Sequence, residues 1–531
     1  MKNWYKHIKI SETNTEEDKH ITLTSNEENI FNIIRSARSK YASDVSLRVA
    51  GGWVRDRLLG NMSDDIDIAV SGGNGIVIAE AVRKFDLDMT GGKRTDDPYS
   101  VSLEKSNKGL KEKSAGLQVG GINILGMKIE FVPMRTEVYS EESRIPLIRA
   151  TDSPSEDAKR RDLTINSLYY NLDTREVEDY TGGFDDLKSK VLKTPISPLE
   201  TLIEDPLRAL RAIRFVSKMP GFKLDDSLLS ALSMKELHDA YRKKVSPERA
   251  KVEIEKIIKG ERPSDSIRLL LQSGLYLPVF SSERLDSFKP ITMDQNTKHH
   301  KLNLLNHTIL VVENLDRIMR ENGFSDRERY LAVLAALFHD FGKMDPSIEK
   351  PSKKDPSQSS YHGHENVSAE IAEEILKRLG FGADRNIVKS IVESHMIPHS
   401  FIDLSNKSIG NFIRRFESLP IDDEIKESLW KLVFVHSIAD TMGKGKIDEK
   451  ELEEIEQKKK SISKIEEFLK EREKVGKKPI LNGNQIMKLF PMKDPKSRYI
   501  ADMQKTLLEA QDNGSVTNEE QAKEYLLELF N

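Results

Sequence analysis

In residues 64–70, Asp-Asp-Ile-Asp-Ile-Ala-Val, carboxylates alternate with branched apolar side chains, and this alternation leaves room for little except a β-strand. Strand geometry sends Asp65 and Asp67 to one face and turns Ile66, Ile68 and Val70 into a core. Like charges side by side repel each other unless a cation lies between them. The pattern therefore reads as a platform for Mg2+, a hard ion held by oxygen ligands. A strand end that merely carries acids is the plain alternative, and the flanking segments favour the first reading. Gly51-Gly52 opens a helical run, Trp53 to Leu59, that Gly60 ends. With no side chain in the way at Gly52, a triphosphate can approach the helix start, and Arg55 offers it a counter-charge. Residues 127–133, Met-Lys-Ile-Glu-Phe-Val-Pro, alternate again and supply Glu130 as a third carboxylate. A phosphate-accepting turn with three acids has the parts of a two-metal phosphoryl-transfer site.

A chain of 531 residues exceeds one hydrophobic core and is expected to divide into three or four domains. It has no apolar run near the roughly 18 residues of a membrane span, so no membrane partner is expected. Its opening, Met1 to His7, lacks a signal core or transit pattern, which sets a cytoplasmic expectation. The absence of cysteine removes disulfides, thiolate catalysis and Cys-held zinc, so metals must sit on Asp, Glu and His. A net charge of −4 argues against nucleic-acid binding until its distribution is read. Between Arg242 and Lys259 seven basic residues stand against three acidic ones, a footprint for RNA phosphates or else a solvated helix face.

The coarse pattern is a helix over 27–45, a strand at 47–50 and a loop or flap over 91–125. Beyond about 140, helices dominate. Residues 161–172 (RDLTINSLYYNL) and 204–218 (EDPLRALRAIRFVSK) both have helical spacing, and 263–445 looks all-helical. The charged stretch 446–478 reads as a long solvated helix or connector, and helical patterning resumes from Pro479. Nine of the twelve histidines fall between His299 and His436, apart from the basic cluster, which points to a second chemistry. His339-Asp340 closes the apolar run YLAVLAALF, and His307 and Asp440 lie on apolar helical patterns of their own. An unpaired polar group there is costly, so these four are candidate metal ligands, with His364 and His395 next. Imidazole with carboxylate suits a transition metal, Mn2+ or Ni2+, better than Mg2+.

These residues carry a resemblance. LRVAGGWVRDRLLGNMSDDIDIAV resembles the signature of the class II tRNA nucleotidyltransferase and poly(A) polymerase family. Arg160 to Asn166 (RRDLTIN) is similar to its second motif, Glu204 to Phe215 (EDPLRALRAIRF) to its nucleotide-selecting motif, and Ser246 to Arg249 (SPER) to the one that follows. Four motifs in order, over about 45–260, resemble the CCA-adding enzymes, with YTGGFDDL at 180–187 closest to the eukaryotic type. The resemblance implies template-independent transfer of CMP, CMP and AMP from CTP and ATP to the 3′-hydroxyl of tRNA. Asp205, Arg208, Arg211 and Arg214 recur at three-residue steps and form one contiguous helical stripe. Cytosine and adenine each present an amino donor beside a ring-nitrogen acceptor; Asp205 can accept from the first and Arg208 donate to the second. Uracil and guanine would leave both groups unpaired. The resemblance assigns that role to Asp205 and Arg208 and implies nucleotide contacts by Arg161, Arg211 and Arg214.

Downstream, the order His307, His339-Asp340, accessory histidines, Asp440 resembles the HD phosphohydrolase superfamily over about 300–445. That implies phosphatase or 2′,3′-cyclic phosphodiesterase activity, or a retained helical scaffold. The expected fold is α+β: a nucleotidyltransferase head with a mixed sheet over 1–150, then a helical neck for nucleotide selection and RNA binding over 151–262. A helical HD-type body over 263–445 and a connector with an RNA-holding helical tail over 446–531 complete it. Lys478 and Lys488 are candidate phosphate contacts in the tail. Three alternatives stay open: a poly(A) polymerase, an enzyme adding only CC or only A, and an RNA-binding scaffold whose HD module is the working enzyme.

Overall fold

The computed structural model describes residues 20–63, 65–102, 117–138, 147–297, 301–401, 404–476, 478–490 and 498–530. The Met1–His7 opening, Asp64, His299 and the middle of the 91–125 segment lie outside them. Two compact units divide the chain, residues 1–261 with 273–279, and residues 262–272 with 280–531.

The first unit is built on a mixed sheet. Its strands, with a neighbouring pair, are β1 (Ser46–Ala50), β2 (Asp65–Ser71), β3 (Tyr99–Ser102), β4 (Gln118–Ile124), β5 (Met127–Pro133), β6 (Arg135–Val138), β7 (Leu147–Ala150), β8 (Tyr169–Asn171) and β9 (Val177–Glu178). The seven-stranded order is β3-β4-β5-β2-β1-β8-β9, with β6 and β7 paired separately. Within the seven-stranded sheet β2 and β5 run parallel and the other described pairs are antiparallel. β2 is buried and exposed in the alternation its sequence dictates, with Ile66 and Ile68 fully buried and Asp65 and Asp67 on the open face. β4 and β5 meet through Leu125-Gly126, both at positive φ, the two-residue turn whose twist suits a tight hairpin. Helix Gly75–Thr90 begins so close to the sheet that a Cβ on Gly75 would stand 1.9 Å from the Phe131 carbonyl oxygen.

Helix Ser25–Tyr41 starts at a capping box, Thr24 accepting from the Glu27 N–H while Glu27 accepts from the Thr24 N–H. Glu27 also accepts from the Trp53 indole at 3.0 Å, and Phe31, Trp53 and Tyr170 pack as one aromatic cluster beside β1.

Three expectations are corrected. The 161–172 segment is not a helix: a 3-10 turn, Thr164–Asn166, leads into β8, which pairs with β1. Leu163, Ile165, Leu168, Tyr169 and Tyr170 are all buried, so apolar spacing there came from two-sided burial, and the tyrosines favour the strand. The sheet thus draws in residues 169–178, beyond position 150. The 91–125 segment contributes β3 and β4 rather than only a loop. The helix expected from Glu204 is two, Pro198–Glu204 and Leu207–Lys218, broken at Asp205-Pro206 because proline disfavours helical geometry in the residue before it.

The second unit is helical, apart from a two-residue pairing of Lys350–Pro351 with Ser359–Ser360. Helices Leu304–Glu321, Asp326–Phe338, His364–Leu379, Asp384–Ser394 and Asp423–Met442 surround a common interior. Ala332 to Phe338 are buried on every side, which explains why that stretch showed no polar face. The long charged helix spans Glu449–Val475, and helices Gly483–Leu489, Arg498–Asp512 and Glu519–Phe530 close a small core around Ile486, Met503, Leu507 and Leu526. No helix among the described residues is long and apolar enough to cross a membrane.

Candidate functional site

In the first unit the site grows from the parallel pairing of β2 with β5. Its register sets Asp67 opposite Glu130 and Asp65 opposite Lys128, so three carboxylates and one ammonium share a face. Lys128 reaches Glu130 at 2.5 Å, and the Tyr99 hydroxyl donates to the same oxygen at 3.3 Å. Asp67 is open to water yet flanked by protein, and this partial burial, followed by the charges of Glu130 and Asp65, pushes its carboxyl up to about 6. A group so placed gains from a cation. The three acids thus fit a divalent ion, although Glu130 is here drawn toward Lys128 and the three do not close into a compact ligand set.

Beside β2 a recess of about 130 Å³ is lined by Asp67, Arg135, Asp157, Arg160 and Arg161. Its wall is fixed by Asp157, which is fully buried. That carboxylate accepts from Arg160 at 2.6 Å, Arg161 at 3.0 Å, the Tyr169 hydroxyl at 2.6 Å and the Arg135 backbone N–H at 3.1 Å. Burial opposes its charge, but the two guanidiniums win and hold it well below the usual carboxylate range. Arg161 lies against Gly51: a Cβ there would stand 3.3 Å from its Nη1, and Gly51 sits at φ +72°. Gly51 is therefore required for the turn and for the arginine together. Gly52 starts helix Gly52–Leu58, as the sequence reading has it.

Other expected contacts are occupied within the protein. Arg55 is buried, paired to Asp56 at 2.7 and 2.8 Å and donating to Asn166 at 2.5 Å. Asp205 and Arg208 lie at the start of helix Leu207–Lys218, where the Arg208 backbone N–H donates to the Asp205 carbonyl at 2.9 Å and the two side chains go to other partners. Asp205 accepts from Arg249 at 2.8 Å, while the buried Arg208 donates to the Thr201 and Arg160 carbonyls and to Glu204. Arg211 pairs with Asp162 at 2.6 Å and Arg214 with Glu253 at 3.2 Å. The stripe thus laces its helix to the 160–167 turn and to helix Pro247–Ile258.

In the second unit four histidines converge. His307, His339, His364 and His395 each place Nδ1 against a backbone carbonyl, those of Gly443 (3.0 Å), Ala336 (2.8 Å), Tyr361 (2.8 Å) and Val392 (2.5 Å). Donation from Nδ1 leaves Nε2 as a lone pair on every ring. Those Nε2 atoms face two aspartates: His307 lies 3.0 Å from Asp440 and 3.2 Å from Asp340, and His339 lies 3.3 Å from Asp340. His364 meets the other Asp340 oxygen at 3.1 Å. Two compact ligand groups result, His307–His339–Asp440 and Asp340–His364–His395, all buried, with Asp340 touching both. His307 and His339 point Nε2 at each other across 3.3 Å, which lone pairs tolerate only around a cation or a shared proton. Burial opposes a proton on His339, yet Asp340 and Asp440 outweigh it and push that ring up to about 10. The donor set therefore fits metal ions. Lys343 donates to Asp340 at 2.8 Å.

The sequence reading missed Asp157 and Tyr169, which hold Arg161, and His399, which reaches Asp440 at 3.0 Å. Lys343 was within reach, three residues after Asp340, and His399 stands one helical turn beyond His395. Asp157 gave no signal, since two adjacent acids in PSEDAK read as a helix start.

Comparison with known proteins finds a family match in each unit. Residues 47–193 match the poly A polymerase head domain, 221–285 the probable RNA and SrmB-binding site of polymerase A, and 304–410 the HD domain. The chain is 29% identical to the mitochondrial CCA tRNA nucleotidyltransferase of Saccharomyces cerevisiae, over 89% of this chain and 88% of the relative. It is 37% identical to a tRNA nucleotidyltransferase of Schizosaccharomyces pombe over 49% of this chain and 54% of that one. It is 34% identical to a CCA-adding enzyme of Bacillus pumilus over 45% of this chain and 53% of that one. Among solved structures, a CCA-adding enzyme in complex with CTP aligns with a TM-score of 0.60 at 19% identity, over 96% of this chain and 97% of that one. The Thermotoga maritima CCA-adding enzyme complexed with tRNA aligns with a TM-score of 0.53 at 20% identity, over 96% and 97%. These two likenesses speak for the fold.

Proposed function

The chain belongs to the tRNA nucleotidyltransferase and poly(A) polymerase family and carries an HD domain, and we propose that it completes tRNA 3′ ends by adding C, C and A. The observation that carries this reading is the β2–β5 register, which gathers Asp65, Asp67 and Glu130 on one open face beside an arginine-lined recess. Asp65 and Asp67 hold Mg2+, with Glu130 as the third acid. When bound, the ion supplies charge neutralisation at the α-phosphate and activation of the tRNA 3′-hydroxyl. Gly52 and Arg161 border the path of the triphosphate. Asp205 accepts from the amino group of C or A, and Arg208 donates to the ring nitrogen. Arg211 and Arg214 keep their helix in register and complete the nucleotide contacts, while Arg55 braces the turn through Asp56 and Asn166. The basic run Arg242–Lys259 meets RNA phosphates.

The relatives' names favour CCA addition over polyadenylation or partial addition. The deciding experiment incubates the protein with tRNA ending before its CCA, with CTP, ATP, GTP and UTP singly and together, and sizes the products. CCA addition gives two residues with CTP, three with CTP and ATP, and none with GTP or UTP. An ATP-only ladder of many residues would mean a poly(A) polymerase, and a stop after C-C with both nucleotides a partial enzyme.

A second activity rests on its own observation, the four imidazoles fixed with Nε2 turned to Asp340 and Asp440. We read this cluster as a transition-metal centre, for Mn2+ or Ni2+, that hydrolyses a phosphate ester such as a 2′,3′-cyclic phosphate. The proposed compartment is the cytoplasm, with the mitochondrion of the Saccharomyces relative as the alternative that imaging of a tagged protein decides.

A further inference from the structure

Helix Glu449–Val475 carries charge at nearly every position of its first turns, EKELEEIEQKKK, a pattern that reads as a solvated surface. One of those charges is not at the surface. Lys458 is 2% exposed, and its ammonium donates to the Ser437 carbonyl at 3.0 Å, the Thr441 hydroxyl at 2.7 Å and Glu454 at 2.7 Å. Ser437 and Thr441 flank Asp440 on helix Asp423–Met442. Glu454 accepts in addition from the Thr441 hydroxyl at 3.0 Å and lies 2.7 Å from Nδ1 of His399. The other nitrogen of that ring, Nε2, lies 3.0 Å from Oδ2 of Asp440, while Oδ1 of the same carboxylate faces His307 at 3.0 Å. The two oxygens of Asp440 are therefore divided: one turned into the imidazole cluster, the other gripped from behind. Burying an ammonium against a half-buried carboxylate is unfavourable unless the ammonium is fully partnered, so a pair placed here is not accounted for by helix stability alone.

We propose that His399 and Glu454 are positioning residues of the histidine cluster: Glu454 fixes the His399 ring, the ring fixes one oxygen of Asp440, and the other oxygen is thereby aimed at a metal ion. The proposal rests on the reading of the cluster as a metal centre. A carboxylate left free rotates about its last torsion and presents its oxygens at many angles. With Oδ2 pinned, Oδ1 is presented in one orientation beside the His307 lone pair. The helix that looked like a connector is thus one wall of the site, held against it by Lys458.

The test uses the full chain with Asp65→Ala and Asp67→Ala, so that only the histidine cluster reports, stripped of metal and titrated with Mn2+ by electron paramagnetic resonance. Loss of an outer partner typically weakens metal binding about 10- to 100-fold. Glu454→Gln and His399→Asn should each weaken the site by that factor, and the double variant by no more than the worse single one. His399→Asn should leave the melting temperature of the metal-free protein unchanged, whereas Glu454→Gln, which also takes the carboxylate partner from the buried Lys458 ammonium, should lower it. His399→Gln, whose longer amide can still donate to Asp440, should recover part of the affinity, and Glu456→Gln, exposed on the same helix, should do nothing. Binding equal to the parent in both single variants would overturn the proposal. So would losses that add, or a loss in His399→Asn that comes with a falling melting temperature, since those mark a structural brace. If the parent with intact histidines binds no Mn2+, the metal reading falls and this inference with it, a result distinct from retained binding in the variants.

Discussion

Asp157→Asn removes the charge on which the arginine wall of the recess depends. The side chain is fully buried and serves two guanidiniums, at 2.6 and 3.0 Å, besides the Tyr169 hydroxyl and a backbone N–H. Asparagine keeps the shape but offers one acceptor where two were used, and its amide hydrogens face groups that are themselves donors. Breaking a buried pair by removing one partner costs about 3–5 kcal/mol, since an uncompensated charge remains inside. Arg160 and Arg161 keep some contact with solvent, which places the expectation toward the lower end, about 3 kcal/mol. Hydrogen exchange of peptides covering 154–171 reads this locally, and a loss of that size speeds exchange by about a hundredfold. The pH dependence follows from the sign of the shift. The Asp157 carboxyl is depressed in the folded protein, so its contribution is complete above the unfolded value near 4 and is lost as pH falls through the folded one. The parent–variant gap should therefore be full at pH 7 and narrow steadily below pH 4. Exchange within threefold of the parent at pH 7, or a gap that widens on acidification, would refute the reasoning.

Other outcomes follow from the same structure. Because Asp67 is pushed up to about 6, protons compete with Mg2+ below that pH, so the Mg2+ needed for half-maximal addition should climb as pH drops from 6.5 to 5 and stay level above 7. By the same sign, Asp67→Asn should raise the metal-free melting temperature at pH 8 and leave it unchanged at pH 4. Arg208→Ala should relax discrimination among the four nucleotides by at least tenfold relative to its effect on tRNA affinity; unaltered preference for CTP and ATP would remove Arg208 from base selection. His339→Ala and Asp340→Ala should abolish Mn2+- or Ni2+-dependent hydrolysis of a 2′,3′-cyclic phosphate and spare nucleotide addition. Loss of both activities together would show that these residues hold the fold.

The carboxylate strand was legible because its period is two and its apolar residues are branched, a combination no helix explains. The histidine–aspartate cluster was legible because polar groups stood inside apolar helical runs, as His307 and Asp440 do. Residues 161–172 were not legible, since a segment buried on both faces loses the contrast from which a period is read, and the pairing of residues 169–171 with β1 resolves it. Asp157 escaped because its importance lies in partners at positions 135 and 169, brought together by the fold. The Glu454–Lys458 pair escaped for a related reason: the same i, i+4 spacing serves on a solvated helix and beneath a buried aspartate.

The central claim is that the β2 acids carry nucleotide addition. Its most direct test compares the parent with Asp65→Ala and Asp67→Ala on tRNA lacking its CCA end, with CTP, ATP and Mg2+, while tRNA binding is followed in parallel. Addition should fall by more than a thousandfold in both variants, while tRNA affinity stays close to the parent's and neither melting temperature falls. Addition persisting at more than a few per cent of the parent rate in either variant would contradict it.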